Sequence, residues 1–446
     1  MKRRATTDLE QWKLLTNRKP LIIRGSRQVG KTYLVENWGR SSFESVVSLN
    51  FEQQKGLEKC FNSLDPRKII SALELELNVD IQPGKALLFL DEIQAAPIVI
   101  SALRYFYEQL PELHVIATGS LLDFTLETID AAMPVGRVEY YFLHPFSFIE
   151  FLEATGTDKL ATFLKDLTDF NEITEGIHSR LLEKMREYYF IGGMPAVVQD
   201  YAINKNFRTA QRIQSSIVLT LQDDFNKYRR RFDPDLLRIV LNSTAVHPMR
   251  RHKYVEISRS HRAEQIKKAF ELLRLARLLD PVIYSGAQGI PLSTQAKPDL
   301  FKPLFLDIGL CNRLAEVPLL DSTNTLLSIR EGELAEQFVG QQLLLTQEPY
   351  LPPQLFYWER LSRGSFAEVD YVINSGQEII PIEVKAGRGT TLRSLHSFLD
   401  EHLSVKRAIR FSIRMPEKEM VEGKKGRGML LSLPLYCAEI VRSFLS

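Results

Sequence analysis

Two short stretches of the chain hold residue types spaced for phosphate chemistry. Gly25, Ser26, Arg27, Gln28, Val29, Gly30, Lys31 and Thr32 together read G-x-x-x-x-G-K-[ST]. In such a loop the glycines let backbone N–H groups turn inward around phosphate oxygens. Lys31 is placed to reach the β- and γ-phosphates of ATP, and the Thr32 hydroxyl to ligate Mg2+. Further along, Asp91 and Glu92 close the apolar run Ala86–Leu90. An acidic pair at the carboxyl end of a strand beside the phosphate loop is where Mg2+ is held. The expectation is Asp91 in the water shell of the metal and Glu92 as the general base that polarises the attacking water. Two solvated acids capping a strand is the alternative for the pair taken alone.

A second constellation lies in the last third. Glu383 and Lys385 stand two apart in the strand-like run Glu378–Ala386, so both side chains leave the same face. Asp370, in the preceding run Phe366–Asn374, can meet Glu383 across a hairpin turned by Asn374, Ser375, Gly376 and Gln377. Glu336 arrives from the amphipathic stretch Gly332–Leu345. Two or three hard oxygen ligands (Glu336, Asp370, Glu383) with a neighbouring ammonium (Lys385) form a set for Mg2+-dependent phosphodiester hydrolysis. A solvated acidic and basic pair on an α/β scaffold is the competing reading.

These residues need elements to hold them. Pro20–Arg24 reads as a buried strand leading into the phosphate loop, with Tyr33–Trp38 as the helix behind it, whose N-terminus favours anions. Ser45–Phe51, Leu113–Thr118 and Val138–Leu143 add strands, alternating with helices near 66–78 and 97–110. The alternation predicts a parallel, doubly wound α/β sheet. The fourth strand ends at Thr118, Gly119 and Ser120, whose hydroxyls either sense the γ-phosphate or make an ordinary turn.

Charge is segregated along the chain. Of 446 residues, 57 are basic and 55 acidic, yet residues 201–280 hold 17 basic against 8 acidic side chains. Helical patterns at Pro234–Ala245 and Ala263–Leu278 precede a strand at Leu279–Tyr284, a Gly/Pro-rich link over 286–298 and a second strand at Phe301–Leu306. Helices followed by a long hairpin predict a winged helix–turn–helix, with DNA as the partner of the basic segment 227–277. The alternative is a basic face packed on the acidic segment 151–200.

Composition narrows the rest. A 44% hydrophobic, 25% charged chain is globular in class. Without a run of 18 apolar residues no transmembrane helix is expected. Residues 1–12 lack the apolar run of a secretory signal. Cys60, Cys311 and Cys437 are too widely spaced for a zinc site and fit a reducing, cytoplasmic location.

The first 225 residues resemble a prokaryotic group of AAA-superfamily ATPases, carrying G-x-R-Q-x-G-K-T at Gly25–Thr32 and L-D-E-I-Q at Leu90–Gln94. Further matching elements are Met133–Arg137, His144–Phe148 and Gly192–Pro195. By this resemblance Pro195 becomes a contact of the adenine, although a turn ending a helix explains it equally. The resemblance also makes Arg137 an arginine finger offered to a neighbouring subunit of a homo-oligomer, where the bland reading is a surface pair with Glu139. Residues 330–412 resemble the PD-(D/E)XK nuclease fold, except that Val369 stands where a proline often precedes the first acid. Taken whole, the chain resembles bacterial AAA proteins whose C-terminal region is a domain of unknown function.

The resulting expectation has four parts. Residues 1–155 form the ATPase core, 156–225 a helical lid, 226–306 a winged-helix module and 307–446 a restriction-endonuclease-like α/β domain. ATP and Mg2+ are the expected cofactors. DNA, a second copy or a protein partner is the expected partner, and no membrane is.

Overall fold

The computed structural model describes residues 1–119, 136–229, 232–317, 327–361, 366–387 and 392–445. Its first sheet is wholly parallel, in the order β2-β3-β4-β1-β5. The strands are β1 (Leu21–Arg24), β2 (Ser45–Asn50), β3 (Ala86–Asp91), β4 (His114–Thr118) and β5 (Glu139–Phe142). Continuous apolar runs build such strands because both faces are covered. Leu21 and Ile23 enter one core while Ile22 enters another, and Leu87 and Phe89 alternate with Leu88 and Leu90 in the same way. Burying each such side chain contributes about 1.5–3 kcal/mol.

This order has a consequence for the site. β4 lies between β1 and β3, with Ile23 opposite Thr118 and Leu90 opposite Ala117. The carboxyl ends of three strands therefore converge behind the phosphate loop, where α/β sheets bind their ligands.

Helices cover residues 158–224 almost continuously, as Asp158–Asp166, Glu175–Ile191, Pro195–Asn204 and Phe207–Asp224. Their limits are written in the sequence. Thr174 caps one N-terminus, Asn206 another, and Pro195 stands at the first helical position of a third.

The second sheet has eight strands in the order β12-β13-β11-β10-β9-β8-β6-β7. They are β6 (Leu279–Ser285), β7 (Ala296–Phe305), β8 (Leu355–Glu359), β9 (Glu368–Ser375), β10 (Glu378–Val384), β11 (Arg407–Ser412), β12 (Glu417–Glu422) and β13 (Arg427–Pro434). Helices Pro234–Val246, Tyr254–Ile257 and Ala263–Leu275 precede the β6–β7 hairpin. That hairpin is not a free wing, because β6 pairs in parallel with β8. The basic module and the C-terminal strands thus share one sheet across residue 306, and one core runs from Ala5 to Leu445 through both. The strand expected at Phe301 also begins earlier, at Ala296, because the ladder to β6 continues past a bulge at Ile283 and Tyr284.

Candidate functional site

The phosphate loop folds as its spacing requires. A Cβ on Gly25 would stand 2.3 Å from the Leu143 carbonyl oxygen, so the loop can leave β1 at this point only with glycine. Gly30 has φ 89 and caps the helix Lys31–Ser42, and a Cβ there would lie 3.4 Å from Cγ of Pro195. Pro195, 165 positions further along the sequence, therefore sits directly over the loop. Between them opens a cavity of about 610 Å3, lined among others by Arg27, Gln28, Gly30, Lys31, Thr32, Glu92, Phe146 and Pro195.

Asp91 is the hub of the site. The Thr32 hydroxyl donates to its Oδ2 at 2.9 Å and Asn50 Nδ2 at 3.3 Å, while the Glu92 N–H donates to Oδ1 at 3.0 Å. The Thr118 hydroxyl also donates to Oδ1. Glu92 turns into the cavity from a left-handed backbone (φ 53), and Gln94 Nε2 donates to its Oε2 at 2.6 Å. Lys31 lies inside the loop, donating to the carbonyls of Gly25 at 3.0 Å and Ser26 at 2.9 Å. Burial pushes its ammonium down to about 8, against the pull of Glu92 and Asp91. Arg27 Nε lies 2.8 Å from Asp224 at the end of the helical segment, and its Nη2 lies 3.6 Å from Glu52.

One hydroxyl and one carboxylate suit Mg2+, which keeps several waters and takes further oxygens from substrate phosphates. Thr32 and Asp91 are the residues that would hold it here. Of the expected neighbours, Ser120 and Met133–Val135 lie outside the described residues. Arg137 is half exposed at the amino end of β5 and pairs with Glu108 at 2.7 Å, not with Glu139. The register of Leu21 opposite Glu139 puts it at the opposite end of the strands from the phosphate loop of its own chain.

The C-terminal residues also come together, with two additions. The Val384 N–H donates to Asp370 Oδ2 at 2.7 Å, and Lys385 Nζ lies 2.5 Å from Glu383 Oε1. Lys302, from β7, reaches into the same cluster. Its Nζ is 3.6 Å from Glu336, 3.9 Å from Asp370 and in contact with Glu368. Burial and the neighbouring Asp370 charge raise the Glu383 carboxyl to about 7. Among the described residues no three His, Cys, Asp or Glu side chains are placed to hold a metal ion. Lys302 stands between Glu336 and Asp370 of the expected Mg2+ set, and Lys385 pairs with its third member, Glu383.

Beside this cluster lies a cavity of about 720 Å3, lined by Arg250, Arg251, Lys253, Lys302, Glu336, Glu368 and the exposed ring of Phe366, among others. The basic segment is partly neutralised within itself and its sheet. Arg251 pairs with Glu359, Lys253 with Glu256, Lys267 with Asp299 and Lys268 with Glu271. Among the described residues, Arg250, Arg259 and Arg274 have no ion-pair partner, and none of these pairs involves residues 151–200. Arg230 and Arg231 lie outside the described residues.

Residues 17–152 match the family model described as an AAA domain. Over that stretch the chain is similar to AAA domains. Residues 182–321 and 331–436 match two domains of unknown function, DUF8612 and DUF4143. No curated protein matches the sequence. Among solved structures the chain is similar to the Walker-type ATPase PABY2304 of Pyrococcus abyssi, with 14% identity, 70% of this chain and 95% of that one covered, and a TM-score of 0.44. It is also similar to the Aeropyrum pernix ORC2 protein in its ADPNP–ADP complexes, with 12% identity, 73% and 93% covered, and a TM-score of 0.34.

In the first sheet, Asn50 is a site residue that no motif marks. It ends β2 directly opposite Asp91, a placement legible only once the strand order is known. Lys302 and Glu368 are likewise unmarked in the C-terminal region. A lysine inside the apolar strand sequence Leu300–Phe305 was the available signal for the first. Among the described residues no helix is long and apolar enough to cross a membrane.

Proposed function

We propose that this protein binds ATP with Mg2+ and hydrolyses the β–γ phosphoanhydride, and that the nucleotide governs its engagement of DNA through the basic segment. The observation that carries the first part is the convergence of Thr32, Thr118 and the Glu92 backbone on the Asp91 carboxylate at the edge of the cavity that holds Lys31. Mg2+, when bound, supplies neutralisation of charge on the phosphate oxygens. Lys31 would leave the loop carbonyls for the phosphates, and Glu92 would take up the proton of the attacking water. Pro195, across the loop from Gly30, would bound the base.

Phosphate release from ATP tests this reading. Wild type should turn over, while Lys31→Ala should lose nucleotide binding. Turnover unchanged in Lys31→Ala would reject the site.

DNA is favoured by the joint lining of the larger C-terminal cavity, where Arg250, Arg251 and Lys253 stand beside the exposed Phe366. Cationic side chains with an exposed aromatic ring suit a strand of phosphates and bases. Retention of a labelled oligonucleotide across a salt series is the check, and no retention at low salt would reject this part. The paired state of Lys267, Lys268 and Arg251 supports a second reading, an ATP-dependent switch for a protein partner. DNA-independent turnover combined with no retention would favour it.

A further inference from the structure

Lys302 has no counterpart in the chemistry expected of the C-terminal acids. It is 2% exposed, although lysine is almost never fully buried unless paired. Its three partners come from two separate elements: Glu336 from the helix Leu327–Leu345, and Glu368 and Asp370 from β9. It reaches them only because the β6–β7 hairpin joins the C-terminal sheet through β8, with Val282 opposite both Lys302 and Leu355.

A divalent cation in this place would need the same oxygens. Mg2+ asks for near-octahedral oxygens at about 2.0–2.1 Å. The oxygens of Glu336 and Asp370 that face the cluster surround Nζ at 3.6 and 3.9 Å. The other Asp370 oxygen is committed to the Val384 N–H, and Glu383 Oε1 to Lys385. Glu383 Oε2 is buried without a hydrogen-bond partner.

We infer that Lys302 is a resident cation that occupies the place of a divalent metal, so that the C-terminal cavity is a metal-independent binding site. The basic residues at its rim then meet a ligand's phosphates while the acids below are neutralised from within. Cleavage of a phosphodiester by metal-activated water has no place in such a site, and the cavity serves recognition.

Mn2+ titration into nucleotide-free full-length protein, followed by the electron paramagnetic resonance of free Mn2+, tests this. Wild type and Asp370→Asn should bind Mn2+ with the same stoichiometry and affinity. A Mn2+ ion held by wild type and lost in Asp370→Asn overturns the inference. Lys302→Met should gain one Mn2+ ion that wild type does not hold, and the double variant with Asp370→Asn should lose it. A folded Lys302→Met that gains no ion also overturns it. Should Lys302→Met fail to fold, the comparison of wild type with Asp370→Asn still decides.

Discussion

Asp91 and Glu92 are neighbours in sequence with different work, and their surroundings separate them. Asp91 is buried and accepts hydrogen bonds from Thr32, Asn50, Thr118 and the next backbone N–H. Glu92 faces the cavity from a strained backbone position. Glu92→Gln should keep nucleotide binding and lower turnover by roughly 10²–10⁴ fold, as loss of a general base does, measured by fluorescent-nucleotide titration beside phosphate release. Lys31 adds a dependence on pH. Its folded value of about 8 lies below its ordinary 10.5. Below pH 8 the lysine is already charged and binds phosphate without proton uptake. Between pH 8 and 10.5 the free site has lost that proton and must regain it, so ATP affinity should fall by up to about ten-fold per pH unit. Calorimetry in buffers of different ionisation heat should detect the proton taken up at pH 9 and none at pH 7.

At the scale of elements, the helix that ends at Ile191 and the one that begins at Pro195 are tied to a distant segment. The Gly193 N–H donates to Asp307 Oδ2 at 2.6 Å, and the Leu310 N–H donates to Oδ1 at 2.9 Å, so one carboxylate caps the helix Ile308–Leu314 and anchors the turn before Pro195. Burial raises this carboxyl to about 6 despite those donors. Gly192 has φ 72, and a Cβ there would stand 2.2 Å from Asp307 Oδ1. Gly192→Ala should therefore cost about 1–3 kcal/mol from the backbone alone, read as a lower urea midpoint at unchanged slope. The same turn sets Pro195 against Gly30, so the variant should also weaken ATP binding. Unchanged affinity would show that Pro195 keeps its place independently of Asp307.

Across the whole molecule, two features concern partners. Arg137 sits at the far end of the strands from its own phosphate loop, paired with Glu108 on the surface. If it serves a neighbouring copy, Arg137→Ala should bind ATP as wild type does and turn over far more slowly. Mixing it with Lys31→Ala protein should then restore turnover, since each copy supplies what the other lacks. No restoration would leave Arg137 a surface residue. The basic module is expected to act through phosphate contacts. Replacing Arg250, Lys253 and Arg259 together by Ala should reduce the slope of log affinity against log salt by roughly 3, one for each lost contact.

What the amino-acid sequence determined by itself is what depends on neighbours along the chain. A phosphate loop is eight consecutive residues between a strand and a helix, and the two-residue period of a strand puts Glu383 and Lys385 on one face. Both were legible, as were the strands that carry them, because apolar runs of that length report burial on both sides. The tertiary structure alone decided which elements lie side by side. β4 entering between β1 and β3 brings Thr118 onto Asp91, β2 on the other side of β3 brings Asn50 there, and the β6–β7 hairpin entering the eight-stranded sheet delivers Lys302 to Glu336, Glu368 and Asp370. Strand periodicity says which face a side chain leaves by, and is silent on the neighbour it meets there. That choice is made by packing and loop closure over the whole chain, and here it set Lys302 among the acids expected to bind a metal.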